Sequence, residues 1–315
     1  MNNYRLDQAN LPKEVTIFEV GARDGLQNEP LINTEHKIAF INALSKSGLT
    51  HIEAGSFVSA KRVPQMADSA NVLQQIERHI GVNYSALTPN IQGFEMALQA
   101  NANEIAIFGS ASETFSQRNI NCSISDSLKR FESVIALAKL HQIPVRGYLS
   151  CICDCPYDGK TSPNQVAAVA KSLIDLGCYE VSLGDTIGTG TPIRVAKVLE
   201  ATYKQVDTHR LAVHFHNTWG QALANIYQAI TMGITTIDSS TAGLGGCPYA
   251  EGASGNVATE DVLYLCHELG INTGIDINVI AQAGWDICHQ LNKVPHSNVS
   301  LALLAQYKKG FNSHY

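Results

Sequence analysis

The chain has no run of about 18 or more apolar residues, so no helix of it is expected to cross a membrane. Charge is sparse: charged residues make up 16% against 45% hydrophobic, and the formal net charge is -6. The basic residues are scattered. A nucleic-acid partner is therefore not expected, because neutralising phosphates takes a dense basic face. The opening MNNYRLDQANLPKEV has no apolar signal region and is not arginine-rich, and the closing FNSHY carries neither a Ser-Lys-Leu-type address nor a prenylation box. Nothing there reads as targeting, so a cytoplasmic location is expected. No linker-like Ser/Gly/Pro tract interrupts the first 265 or so residues. A single domain is expected, with a barrel over about 14–265 and extra C-terminal helices over about 266–315.

Cysteine is better supplied. Eight are present, and in a large chain without a leader they are expected to be thiols. Cys151-Ile-Cys-Asp-Cys155 invites a metal reading, but structural zinc usually takes paired Cys-x2-4-Cys units, and no second pair follows. Buried or half-buried thiols in a loop at a strand end are the better reading.

Short β-rich runs alternate with longer helical patterns. The candidate strands are Val15 to Val20, His51 to Gly55, Asn83 to Leu87, Glu104 to Phe108, Val145 to Ser150, Glu180 to Gly184, Ala212 to His216 and Thr236 to Ser239. Eight such runs separated by helices predict parallel βαβ units closed into a (β/α)8 barrel, a TIM barrel of the α/β class. An open doubly wound sheet would want a Gly-rich phosphate loop after its first strand. Gly-Ala-Arg-Asp-Gly-Leu-Gln-Asn stands there instead. Ser162 before Pro163 and Thr191 before Pro192 read as helix caps, and Gly48 and Gly177 as helix ends.

A barrel places its chemistry at the C-terminal ends of its strands. Arg23 and Asp24 follow the first run, Glu53 lies in the second, and Asp185 ends the sixth. His214-Phe-His216 ends the seventh, and the eighth leads to a Gly-rich loop, Ala242 to Asn256, with Cys247 near its tip. Residues i and i+2 of a strand share a face, so both imidazoles are expected in the barrel mouth with Phe215 turned outward. Two histidines with Asp24 make a mixed nitrogen and oxygen site, suited to Mg2+ or Mn2+ without excluding Zn2+ or Co2+. As isolated pairs they would read as buried, hydrogen-bonded histidines. Arg23 can hold a developing enolate oxygen, pair with Glu19 or Glu53, or do both. Asp185 can relay a proton, orient a bound water or cap a helix. Glu53 reads as a support for Arg23 or a ligand rather than a proton carrier. Cys247 is either a proton donor on a mobile loop or an incidental thiol.

Phe18-Glu-Val-Gly-Ala-Arg-Asp-Gly-Leu-Gln-Asn-Glu29, Ser56-Phe-Val-Ser59, Val63-Pro-Gln-Met66, Asn119-Ile-Asn-Cys-Ser123, the His214-to-Asn225 run and Gly243-Leu-Gly-Gly-Cys-Pro-Tyr249 closely resemble the hydroxymethylglutaryl-CoA lyases, of the bacterial type. The resemblance covers about residues 14 to 290. Relatives that condense acyl-CoA with 2-oxo acids share the Arg-Asp and His-x-His parts but lack the Cys247 loop. The resemblance implies metal-dependent cleavage of (S)-3-hydroxy-3-methylglutaryl-CoA to acetyl-CoA and acetoacetate, as in leucine breakdown or ketone-body production. It implies Asp24, His214, His216 and Asn256 as ligands of Mg2+ or Mn2+. Arg23, Cys247, His214, Asp185 and Glu53 fall on catalytic or supporting positions, with His214 and Asp185 both open as the base. Arg23, Gln27 and Lys61 are implied for substrate, Glu260 for site integrity, and a homodimer for assembly. Animal members carry Lys where this chain has Pro30, which leaves Lys61 or Arg62 to meet the CoA phosphates. The rivals are a lyase for a longer 3-hydroxyglutaryl-CoA, a Claisen condensing enzyme on the same barrel, and a non-catalytic metal- or CoA-binding barrel.

Overall fold

The computed structural model describes residues 11–247 and 250–309, and the side chains of these except 247 and 250–254. Eight parallel strands close into a barrel. They are β1 (Thr16–Glu19), β2 (His51–Ser56), β3 (Asn83–Leu87), β4 (Glu104–Ser110), β5 (Val145–Ser150), β6 (Glu180–Asp185), β7 (Leu211–Phe215) and β8 (Thr236–Ser239). Each pairs with its neighbours in the chain, and β1 closes on β8 with Thr16 opposite Thr236. All eight predicted runs are strands to within two residues. The largest difference at any one end is at β4, which runs on to Ser110; β7 stops at Phe215, so that His216 stands just beyond it.

Outward-facing positions supply the apolar contact with the helices. Val181 and Leu183 of β6 and Val213 and Phe215 of β7 are buried in the main core, as expected for Phe215. The interior holds Leu87, Ala106 and Tyr148, and it also holds charge. Arg146 of β5 is fully buried there, with Nε 2.8 Å from Glu180 Oε1 and Nη2 2.7 Å from Asp238 Oδ1. Its guanidinium lies 4.1 Å from the Phe18 ring centre and 5.2 Å from that of Tyr148. An uncompensated charge would be costly at this depth, and paired carboxylates and ring faces supply the compensation.

Helices Pro163–Leu176 and Pro192–Tyr203 begin where the Ser-Pro and Thr-Pro pairs predict. Neither Ser162 nor Thr191 makes a side-chain capping bond, so proline's preset backbone angle at the first turn marks these starts. Gly48 and Gly177 take the left-handed backbone expected of helix ends, at φ +98° and +126°. The loop after β5 forms a small hairpin, Asp154–Cys155 with Gly159–Lys160, and Cys151, Cys153 and Cys155 are all buried in or beside it. The seven described cysteines are free thiols. Beyond β8, helix Thr259–Glu268 runs through residues 265 and 266, followed by helices Ile277–Gln290 and Asn298–Lys308. The C-terminal part meets the barrel mouth: the His296 amide donates to Ala242 O, and Lys293 Nζ lies 2.6 Å from Glu29 Oε1. No helix among the described residues is long and apolar enough to cross a membrane.

Candidate active site

After β1 the backbone makes one wide helical turn over Gly21–Gly25, with the amides of Arg23, Asp24 and Gly25 converging on Val20 O at 2.7–3.1 Å. This turn presents Arg23 and Asp24 to the mouth. It packs tightly on the segment after β8: a Cβ on Gly25 would lie 2.8 Å from Ser240 Oγ and 2.9 Å from Leu244 Cβ. Glycine is therefore what lets the two loops meet.

Arg23 is locked in place. Its Nε and Nη2 both lie 2.6 Å from Glu53 Oε2, and its Nη1 lies 2.6 Å from Asp24 Oδ1. Of the two pairings foreseen for it, the one with Glu53 forms. Glu19 instead accepts from Gly21 N, Thr241 N, Thr241 Oγ1 and Thr259 Oγ1, which ties β1 to the segment after β8. Glu53 is fully buried beneath the mouth and holds the guanidinium from below.

Asp24, His214 and His216 each place one ligand atom within 4.8 Å of the other two. This is the only group of three or more such residues among the described residues with that spacing. The alternation along β7 brings the two rings together, with centroids 5.4 Å apart. Burial alone would raise the Asp24 carboxyl, but Arg23 and the two histidines outweigh it and hold it down at about 2. Burial and the neighbouring His214 push His216 down to about 4, so it is neutral at pH 7 with lone pairs available. Burial would also lower His214. The Asp238 hydrogen bond, with Nδ1 to Oδ2 at 3.3 Å, and the Asp24 and Asp238 charges instead leave it raised.

These residues fit a divalent cation. His216 Nδ1 is buried with no hydrogen-bond partner, an expensive condition unless something else satisfies the group. The donor set is two imidazoles and a carboxylate. Asn256 closes one side: Nδ2 donates to Asp24 Oδ2 at 2.9 Å and to Leu244 O at 3.2 Å. Asn256 is thus at the cluster, with its amide nitrogen rather than its oxygen toward Asp24. Gln27 Nε2 donates to Asp24 Oδ1 at 2.9 Å.

The cluster opens into a cavity of about 860 Å3 lined by Arg23, Asp24, Gln27, His214 and His216 among others, a volume that suits an elongated ligand. Asp185 and Lys61 are not among its lining residues. Ser182 and Gly184 are the β6 residues that face it, so Asp185 points the other way and accepts from the Gly190 amide at 2.8 Å. Burial pushes the Asp185 carboxyl up to about 6. Arg62, beside Lys61, does line the cavity, as does Arg130. Cys247 lies in a short strand, Gly246–Cys247, and its side chain is outside the described residues. Glu260 accepts from Ala242 N through both oxygens, at 2.9 and 3.0 Å, fixing the base of the same loop.

Sequence reasoning missed Asp238, Arg146 and Tyr148. Asp238 is gripped by Arg146 and by Ser182 Oγ at 2.7 Å, and in turn holds His214. The available signal was a charged residue in the middle of a β-rich run, as in Thr236-Ile-Asp-Ser239 and Val145-Arg-Gly-Tyr148.

Fold and site together define a (β/α)8 barrel with an Asp-His-His group for a divalent cation and a fixed arginine at its mouth. The chain matches the HMGL-like family model over residues 14–287 and belongs to that family. It is 56% identical, over 94% of its length and 99% of the relative's, to a 3-hydroxy-3-isohexenylglutaryl-CoA/hydroxymethylglutaryl-CoA lyase of Pseudomonas aeruginosa. It is 58% identical to a cytoplasmic 3-hydroxy-3-methylglutaryl-CoA lyase of Danio rerio, over 93% of this chain and 88% of that one. A crystal structure of hydroxymethylglutaryl-CoA lyase from Pseudomonas aeruginosa superposes with a TM-score of 0.93 at 56% identity, covering 94% of this chain and 99% of that chain.

Proposed function

We propose that this protein cleaves (S)-3-hydroxy-3-methylglutaryl-CoA to acetyl-CoA and acetoacetate, with Mg2+ or Mn2+ at Asp24, His214 and His216. The observation that carries this reading is the Asp-His-His cluster beside a fixed arginine in the mouth of a cavity large enough for an acyl-CoA arm. A cation held there supplies Lewis acidity toward the substrate's oxygens. The substrate gives up the C3 hydroxyl proton, and the C2–C3 bond breaks to leave a ketone and the enolate of acetyl-CoA. A proton returned to C2 completes the balance.

Arg23 faces the enolate oxygen with a guanidinium already oriented by Glu53, so little reorganisation is needed as charge develops. His214 lines the cavity, and Asp238 holds its Nδ1 side, which leaves its Nε2 for the cation rather than for the C3 hydroxyl proton. Asp185 shapes the β6 turn through Gly190. Cys247 returns the proton to C2 from its Gly-rich loop. Asn256 would complete the cation site from the segment after β8 through Oδ1, with its amide turned over from the orientation in which Nδ2 donates to Asp24. Gln27 meets substrate at the cavity wall. The finer expectations of a cytoplasmic location, a homodimer and a domain boundary near 265 belong to this reading too.

The dual-substrate name of the Pseudomonas relative favours one second reading, that a longer isoprenoid 3-hydroxyglutaryl-CoA is also accepted. The test is a coupled assay for acetoacetate from HMG-CoA, with EDTA-treated protein and with added Mg2+ or Mn2+. Metal-restored acetoacetate supports the proposal. No product with either metal contradicts it, and the longer acyl-CoA becomes the substrate to try next.

A further inference from the structure

The turn that leaves β8 is held by groups from outside the barrel. Ala242, Gly243 and Gly245 all take left-handed backbone, at φ +59°, +62° and +114°. For Ala242 this is a strained setting, one that persists only where neighbours over-determine it. Its amide donates to Glu260, and its carbonyl accepts from the His296 amide at 2.8 Å. Gly245 is held through a single oxygen. Its amide donates to Glu29 Oε1 at 3.3 Å, and Lys293 Nζ lies 2.6 Å from the same atom. Glu29 is buried, and Lys293 is its one ion-pair partner among the described residues. The ammonium keeps a buried carboxylate from standing alone, and so keeps it charged and accepting toward the Gly245 amide.

Lys293 and His296 belong to one short segment. Helix Ile277–Gln290 ends with the left-handed Asn292, at φ +52°, and the Lys293 amide donates back to Cys288 O at 2.9 Å. Four residues on, Ser297 Oγ donates to Asp261 Oδ1 at 2.7 Å. The segment is thus pinned on helix Ile277–Gln290 at one end and on helix Thr259–Glu268 at the other. The barrel closes through β1 and β8 without it. What the segment fixes is the place of Gly245, one residue before the short strand Gly246–Cys247. A Cβ on Gly245 would lie 2.9 Å from Asn256 Nδ2, so this residue also abuts the amide that donates to Asp24.

Resting on the lyase reading above, we propose that Glu29 and Lys293 are positioning residues for the return of the proton to C2: their ion pair sets the turn from which the Cys247 strand departs. Neither residue lines the cavity, so they act through the turn and not on the substrate. The C-terminal segment is then part of the catalytic apparatus and not only a cover on the barrel.

Two measurements on the full chain test this: hydrogen exchange of the turn, read by mass spectrometry, and steady-state cleavage of HMG-CoA at saturating Mn2+. The proteins are the wild type, Lys293→Met, Lys293→Arg and Glu29→Gln. Loss of a charge-assisted contact predicts deuterium uptake about 10-fold faster over residues 242–246 in Lys293→Met and Glu29→Gln, with β4 and β5 unchanged. kcat should fall about 10-fold in both, with KM and the Mn2+ Kd within about 3-fold, since Asp24 and His214 are held by Arg23 and Asp238 away from the turn. Lys293→Arg should bring both readouts back to within about 3-fold of the wild type. Where Lys293→Met does not fold, the near-isosteric Glu29→Gln carries the same comparison. Faster uptake at the turn with wild-type kcat makes the ion pair a structural tie and overturns the positioning role. Wild-type uptake and kcat in both variants overturn it too, and leave the lyase reading intact. A wild type that yields no acetoacetate overturns the lyase reading itself, and the positioning role with it.

Discussion

Asp238→Asn is the perturbation that probes the site from underneath. Asp238 is fully buried and touches three groups: Arg146 at 2.7 and 3.1 Å, Ser182 Oγ at 2.7 Å and His214 Nδ1 at 3.3 Å. Accepting from Nδ1–H leaves His214 Nε2 unprotonated on the Asp24 side, where it lies 3.8 Å from Asp24 Oδ2. That is the tautomer a cation needs. An asparagine of the same shape keeps the packing but removes the charge facing Arg146. Breaking a buried ion pair costs about 3–5 kcal/mol. Glu180 still holds Arg146 Nε at 2.8 Å, so the lower end of about 3 kcal/mol is expected, a fall of roughly 5 °C or more in Tm. Loss of the carboxylate behind a ligating histidine should weaken Mn2+ binding by about 10–100-fold. Calorimetric titration of Mn2+ and thermal unfolding read the two effects separately, and activity should return substantially at saturating Mn2+. If the Tm falls while Mn2+ affinity stays at the wild-type value, Asp238 serves the barrel core alone and the reasoning about His214 is wrong.

Three further outcomes follow from the same geometry. Arg23→Gln should lower kcat about 10²–10³-fold with Mn2+ affinity within a few-fold, and near-normal kcat would remove the arginine from enolate stabilisation. Cys247→Ala should lower kcat about 10²–10⁴-fold without altering Mn2+ binding; retained turnover would show that another group delivers the proton. Burial pushes the Glu260 carboxyl up to about 8, well above the ordinary glutamate range, despite its bonds to Ala242 N. A folded-state value above the unfolded one contributes stability that is complete below about pH 4 and is lost as pH rises toward 8. The Tm of Glu260→Gln relative to wild type should therefore climb between about pH 5 and 8, and a pH-independent difference would refute the assignment.

Most of the architecture was legible because it rests on local rules. Strand runs bounded by helical patterns gave the barrel, and the two-residue period of a strand put His214 and His216 in one mouth. Which side of β6 lines the cavity was not read for Asp185. It stands at a strand end, which the sequence reveals, but Ser182 and Gly184 are the β6 residues that line the cavity and Asp185 is not among its lining residues. Arg146 and Asp238 escaped notice because their partnership spans 92 residues and is made inside the barrel, where no local pattern reports it. That Arg62 lines the cavity and Lys61 does not likewise depends on how a loop turns, which neighbouring residue types do not encode. Ser162 and Thr191 were right as positions and wrong as hydrogen-bonding caps, since the proline after each suffices to start the helix.

The central claim is that Asp24, His214 and His216 hold the divalent cation on which cleavage depends. Titration of Mn2+ by electron paramagnetic resonance, with acetoacetate production followed on the same samples, tests it most directly. The account predicts one tight Mn2+ per chain in the wild type, activity that rises with its occupancy, and loss of both in Asp24→Ala and His216→Ala. Tight Mn2+ binding that survives in both variants, or full activity in metal-free protein, would contradict it.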